Sequence, residues 1–216
     1  SADRLLMLAR TGDAPTDIAL FLVDPKADGV ELTQQHTIAS DTQYRVDLSD
    51  VAVPAPDRIG DGPGWDAWDA WDATMLDGVI LLAAQAIGGA TYALDITVDY
   101  AKQRHQFDKP LGAFQAIAHD LADAVTTVDG GRTLVYEAGW AHTVGRPIER
   151  LAPMAKLFAC QTYRDVTAVA QQVFGGVGFT VDYDIQLYFR RAKQLQLSWW
   201  DPRYLEERVA ATVLDR

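Results

Sequence analysis

Apolar residues change their spacing part-way along the chain. Up to about residue 55 they fall in short runs separated by turn chemistry. Leu5 to Arg10 and Ile18 to Val23 flank Thr11-Gly-Asp-Ala-Pro15-Thr-Asp, and Pro25-Lys-Ala-Asp-Gly29 precedes Val30-Glu-Leu-Thr. Tyr44-Arg-Val-Asp-Leu48 alternates with period two, which predicts one wet face and one covered face. Three or four such strands predict an antiparallel sheet, read as the second half of a β domain. Residues 57–64 form a junction rich in Pro, Gly and Asp, after which the period becomes helical. Over residues 69–102, Leu76, Ile80, Ala83, Ile87, Ala90, Leu94, Thr97 and Ala101 follow alternating steps of four and three, and Val79, Leu82 and Ala86 widen the stripe. Further helices are expected over 113–144, 149–174 and 183–197. Short connections among four helices predict an antiparallel bundle. The expected class is α+β, with a β part over 1–62 and a helical part over 63–216.

Glycines interrupt two of these stripes. Gly88-Gly89 would each cost up to about 1 kcal/mol relative to alanine inside a helix, so close helix contact is expected to compensate there. Gly130-Gly131 marks either an interruption or close packing. At the start of the first helix, Trp65-Asp-Ala-Trp68-Asp-Ala-Trp71 places acidic residues where a helix dipole favours them. The tryptophans form a broad stripe, read as a capped and docked helix start or else as a ligand-facing wall or subunit contact.

Composition narrows the function classes. Hydrophobic residues make up 49%, which indicates a globular chain. No apolar run reaches the roughly 18 to 20 residues of a membrane span, and no basic leader precedes an apolar core; a soluble, cytoplasmic protein is expected. Cys160, the one cysteine, is expected to be a small core residue, and no Cys/His set has metal-ligand spacing. A net charge of −11 argues against nucleic acid as partner and means that an anionic ligand must meet local positive charge. Lys102, Arg104 and Lys109 supply one such place; Arg190, Arg191 and Lys193 supply another. Each is otherwise a solvated helix face.

Two stretches carry candidate chemistry. In Tyr100-Ala-Lys-Gln-Arg104-His-Gln-Phe107-Asp-Lys-Pro110-Leu111-Gly-Ala-Phe114-Gln115, a helix is expected to end in Arg104 and Phe107, three apart on one face, before a Pro-Leu turn. An arginine in a last turn is favoured by the helix dipole, and its fork can reach a phosphate. In Gln172-Val-Phe-Gly175-Gly176-Val-Gly178-Phe179 a helix stops on glycines that let a ligand approach the backbone. It is not a dinucleotide fingerprint, because it ends a helix where that turn must begin one.

Together the two stretches resemble the flavin-binding signatures of the acyl-CoA dehydrogenase family. Tyr188-Phe189-Arg190-Arg191-Ala192-Lys193 is similar to the family's Tyr-Arg-Asp-Ala-Lys helix, with Arg191 where Asp is usual. Ile18-Ala-Leu-Phe-Leu-Val-Asp, Gly29-Val30, Val51-Ala-Val-Pro54 and Gly60 resemble the end of its middle β domain. The resemblance covers nearly the whole chain but neither the family's N-terminal helical domain nor the earlier middle-domain strands, which hold much of the acyl-CoA site.

The resemblance implies FAD as cofactor and a site shared across a subunit boundary, hence a homo- or hetero-oligomer, dimer or tetramer. It implicates Arg104, Phe107, Gln172, Gly175 and Gly176, with Leu111, Phe114 and Ile117 as an adenosine-side wall. The implied reaction is α,β-dehydrogenation of an acyl-CoA thioester, with an electron-transfer acceptor as partner and a glutamate as the α-proton base. The two positions the family uses for that glutamate fall on Gly78 and Trp199. Asp77 and Asp201 are the neighbouring carboxylates, each otherwise a cap or surface charge. The expected function is an acyl-CoA dehydrogenase protomer that clamps a shared FAD without the usual base, similar to heteromeric actinobacterial enzymes of steroid degradation. A homomeric enzyme with its base elsewhere, and a flavin-free helical scaffold or oligomerisation module, are the alternatives.

Overall fold

The computed structural model describes residues 2–39, 41–60 and 65–214. The chain divides into two compact units, Ser1–Met75 and Leu76–Arg216.

In the first unit, β1 (Leu5–Arg10) and β2 (Ile18–Val23) pair antiparallel, Leu5 opposite Val23 and Arg10 opposite Ile18. The turn between them is closed by Asp17, whose carboxylate accepts the Ala14 N–H at 3.0 Å. β3 (Val30–His36) and β4 (Thr42–Leu48) form a separate hairpin. The end of β4 is tied back by the Ser49 N–H, which donates to the carbonyl of Gly29 at 2.9 Å. β5 (Arg58–Ile59) joins β2, so the segment read as a junction contains a strand; residues 61–64 of it lie outside the described residues. β2 buries residues on both faces of the three-stranded sheet, Ala19 and Val23 on one and Leu20 on the other. The alternation in β4 produces no covered face: Tyr44 and Leu48 stay exposed, with Leu32 of β3, because a two-stranded hairpin has no layer of its own to pack against.

α1 (Ala67–Gln103) begins as the acidic repeat implies. The Asp66 carboxylate accepts the N–H groups of Trp68 at 2.7 Å and Asp69 at 3.1 Å, satisfying two of the donors that a helix start leaves free. Trp65 lies against Gly60, where φ is +69° and a Cβ would overlap the indole. All eight residues of the expected α1 stripe are buried. By length and composition α1 could cross a membrane, contrary to the reading that no segment does. Part of its apolar content is core content: Ala83, Ala86, Ala90 and Ala93 are fully buried.

The remaining helices are α2 (Gln115–Thr143), α3 (Leu151–Phe174), α4 (Ile185–Leu197) and α5 (Pro202–Leu214). α3 is central and packs on α2, α4 and α5. Ala152, Ala155, Ala159 and Ala170 keep its surface low enough for close neighbours, and Cys160 is buried as expected, its thiol donating weakly to the Leu195 carbonyl at 3.6 Å. Glycines seat the large side chains between helices. A Cβ at Gly89 would overlap the Tyr163 ring of α3, and one at Gly131 would overlap Ile87 of α1. α2 therefore runs unbroken through Gly130-Gly131. The fifth helix was not among the four expected. Leu205 is its one buried residue, too little to write a stripe, although Asp201 caps it by accepting the Tyr204 N–H at 3.0 Å.

Candidate functional site

The two signatures, far apart in sequence, meet in the helical unit. Tyr100, near the end of α1, stacks on Phe174, the last residue of α3, with ring centroids 4.2 Å apart. Tyr183 closes edge-on against both rings. Phe174 is buried, so this stack fixes the start of one signature to the start of the other. Above it lies an open cleft of about 550 Å³ whose walls include Tyr100, Arg104, Leu111, Val173, Gly176 and Val177.

Local chain geometry sets what each wall presents. α1 stops at Gln103, and the Arg104 N–H still donates to the Tyr100 carbonyl at 2.8 Å, so Arg104 stands at the C-terminal end of the helix. The chain then turns through a two-residue hairpin, β6 (His105–Gln106) against β7 (Lys109–Pro110). Phe107 and Asp108 form its tip at φ +54° and +62°. Phe107 therefore does not share a helix face with Arg104, as its spacing suggested. Pro110 disfavours helix in the residue before it, and the tight turn places both tip residues in the left-handed region. The Leu111 N–H closes the loop on the Arg104 carbonyl at 2.8 Å.

Across the cleft, Gly175 ends α3 at φ +65°, a conformation glycine adopts without the Cβ penalty. A short 3-10 turn follows over Gly175–Phe179. A Cβ at Gly175 or Gly176 would meet no protein atom within 4 Å; the positive φ still calls for glycine at 175, whereas nothing in the packing of this chain calls for it at 176.

Of the residues singled out from sequence, Arg104, Leu111 and Gly176 line the cleft together. Phe107 and Phe114 pack edge to face at 6.3 Å, and the Lys109 ammonium sits 4.1 Å over Phe114. Gln172 is exposed on the last turns of α3, and Ile117 is half-buried on α2; neither lines the cleft. Tyr100, Gln106, Val173, Phe174, Val177 and Thr180 complete the walls and were not singled out. Tyr100 and Phe174 lay inside the quoted stretches, but an aromatic at a helix end reads as core until its stacking partner is known.

Charge is uneven around the cleft. Lys102 pairs with Asp99 at 3.7 Å, Arg191 donates to Gln194 Oε1 at 2.6 Å, and Lys193 donates to Gln196 Oε1 at 2.8 Å. The Arg104 guanidinium is exposed and has no side-chain partner among the described residues. On the other side of the Tyr100-Phe174 stack, a second cleft of about 340 Å³ is acidic, with Asp99, Asp182 and Asp184 in its wall. An unpaired arginine beside open glycine backbone and an aromatic floor suits an extended anion bearing an apolar part.

The positions where a base was sought lie elsewhere in the helical unit. Trp199, in the turn between α4 and α5, has its indole against the α-carbon of Gly78 on α1, where a Cβ would overlap the ring. Asp77 meets His142 Nδ1 of α2 at 3.2 Å, and Asp201 caps α5.

The sequence profile for the C-terminal domain of acyl-CoA dehydrogenases matches residues 68–198. The chain is 34% identical over 202 residues to acyl-CoA dehydrogenase IpdE2 of Mycolicibacterium smegmatis, covering 91% of this chain and 60% of that protein. Among solved structures, butyryl-CoA dehydrogenase of Megasphaera elsdenii superposes with a TM-score of 0.92 at 30% identity, covering 99% of this chain and 56% of that one. The ChsE4-ChsE5 complex of Mycobacterium tuberculosis gives a TM-score of 0.90 at 26% identity, covering 100% of this chain and 56% of its counterpart. The chain thus spans little more than half the length of the relatives it matches. It belongs to the acyl-CoA dehydrogenase family.

Proposed function

We propose that this chain is the part of an FAD-dependent acyl-CoA dehydrogenase that clamps a cofactor shared with a neighbouring subunit. The observation that carries this reading is the unpaired Arg104 guanidinium in the same cleft as the open backbone of Gly176. Arg104 would hold the negative charge of the pyrophosphate, and Gly175-Gly176 would let the dinucleotide approach the main chain without a side chain between. Leu111 and the Tyr100-Phe174 stack give an apolar floor, with Phe107, Phe114, Ile117 and Gln172 as outer contacts. FAD, when bound, supplies the hydride acceptor for α,β-dehydrogenation of an acyl-CoA thioester, and an electron-transfer acceptor then reoxidises it.

In this reading the chain supplies no standard base. Gly78 carries no side chain and Trp199 no carboxylate; Asp77 is engaged by His142, and Asp201 is engaged as a helix cap. A base must come from another part of the assembly, which fits a hetero-oligomeric enzyme in the cytoplasm. The exposed apolar rim around the cleft, with Phe107 at 87%, Phe179 at 71% and Val181 at 89% exposure, favours a subunit contact there. A flavin-free scaffold would use the same rim. Intact mass and the visible spectrum of the native assembly separate the two. Bound flavin with a companion chain is expected; a colourless assembly at every stoichiometry of partner overturns the clamp and leaves the scaffold.

A further inference from the structure

Trp199 combines two features that rarely coincide. Its φ is +62°, a region that bulky residues avoid, and its indole is seated on the one α-carbon of that stretch of α1 that can receive it, Gly78. Such a conformation persists only where the surroundings over-determine it. On one side of the turn, the Ser198 N–H and hydroxyl both donate to the Gln194 carbonyl at 2.8 Å. On the other, Asp201 caps α5 through the Tyr204 N–H, and the buried Trp200 ring lies between Tyr204, at 5.4 Å, and the Arg208 guanidinium, at 4.7 Å. Beneath it, Lys156 of α3 is fully buried and donates from Nζ to the Trp200 carbonyl at 2.6 Å. A buried ammonium is costly unless it is paired. Desolvation pushes its pKa below the ordinary lysine range, opposed by electrostatic interaction with Cys160 and with Asp201. No surface role explains a lysine held in this way.

We propose that Lys156 is a positioning residue for Trp199: a buried donor that fixes the Ser198–Asp201 turn and so holds the indole on Gly78 as a rigid cover, excluding any side chain, and with it a carboxylate, from that point of α1. The bearing on proton abstraction rests on the reading of Gly78 and Trp199 given under Proposed function, whereas the lock itself is tested apart from flavin or turnover. Position 78 can then accept a glutamate only if position 199 releases its ring. The two positions are coupled through the fold.

The chain contains six tryptophans, so 5-fluorotryptophan labelling of the full chain with fluorine NMR reads each indole separately, with Trp199→Phe assigning the resonance of interest. Lys156→Met and the neutral donor variant Lys156→Gln are expected to displace the Trp199 and Trp200 resonances and to leave Trp140 in place. A Trp199 resonance at its wild-type position in either folded variant overturns the positioning role. Gly78→Glu is expected to lower the melting temperature in the wild-type background and to be accommodated when combined with Trp199→Gly. Equal losses in the two backgrounds overturn the lock, and this arm holds even where the Lys156 variants fail to fold. Flavin retention in an Arg104 variant is a different readout at a different residue, so failure of the clamp and failure of the lock are distinguishable.

Discussion

Along the seams of the helical bundle, glycine is filled from inside the protein; at the rim of the Arg104 cleft it is not. Gly89 receives the Tyr163 ring, Gly78 the Trp199 indole, Gly131 the end of Ile87, and Gly178 the flank of Phe174. Gly175 and Gly176 receive nothing. A missing side chain in a packed seam is explained by its neighbours. At Gly175 the backbone supplies the reason, since its φ of +65° ends α3 in a region that favours glycine. Gly176, which faces open space beside an unpaired arginine, has neither a packed neighbour nor a positive φ to explain it, and points outward to a ligand or a second subunit. The adjacent pair Gly88-Gly89 makes the same contrast in two residues: a Cβ at Gly89 overlaps Tyr163, and one at Gly88 meets no atom within 4 Å.

The largest expected effect breaks the seam. Gly89→Leu forces the buried Tyr163 ring aside and should destabilise the chain by about 3 kcal/mol, the upper part of the usual overpacking range, in a denaturant titration. A neutral result would mean that the seam is not closed. Gly88→Ala, one residue away, should instead raise stability by up to about 1 kcal/mol, because it restores helix propensity without a clash.

Smaller still is a pH effect centred on Lys156. Its folded pKa lies below the ordinary value of 10.5. Between the two values the unfolded chain holds more protons than the folded one, so stability rises with pH through that window. Wild type should therefore gain on Lys156→Met as the pH is raised towards 10.5. A pH-independent difference between the two would mean that the lysine is not desolvated. At the cleft, Arg104→Ala should leave stability within about 0.5 kcal/mol of wild type, since an exposed, unpaired side chain supports no fold contact.

Much of the helical core was legible because its spacing is local. The steps of four and three from Leu76 to Ala101 in α1 specify one face without knowledge of any partner, and all eight positions are buried. Helix α5 was not legible. Leu205 is its one buried residue, although Asp201-Pro202 is a cap followed by a proline in the first helical position. What depends on distant partners was also hidden. Gly89 could be read as a contact point but not as the seat of Tyr163. Gly78 and Trp199 could each be read as departures from a family pattern but not as touching each other. Phe107 was misplaced because a three-residue spacing fits a helix, while the hairpin that holds it depends on two left-handed residues in succession. The cleft followed in part. Arg104, Leu111 and Gly176 were readable from the signatures, whereas the Tyr100-Phe174 stack beneath them is a contact between α1 and α3 that periodicity does not encode.

The direct test of the outward-facing cleft is flavin content per protomer in the native assembly, wild type against Arg104→Ala, at matched thermal stability. The clamp predicts that the variant assembly loses most of its bound flavin while remaining folded. Unchanged flavin content in a folded Arg104→Ala assembly would contradict it.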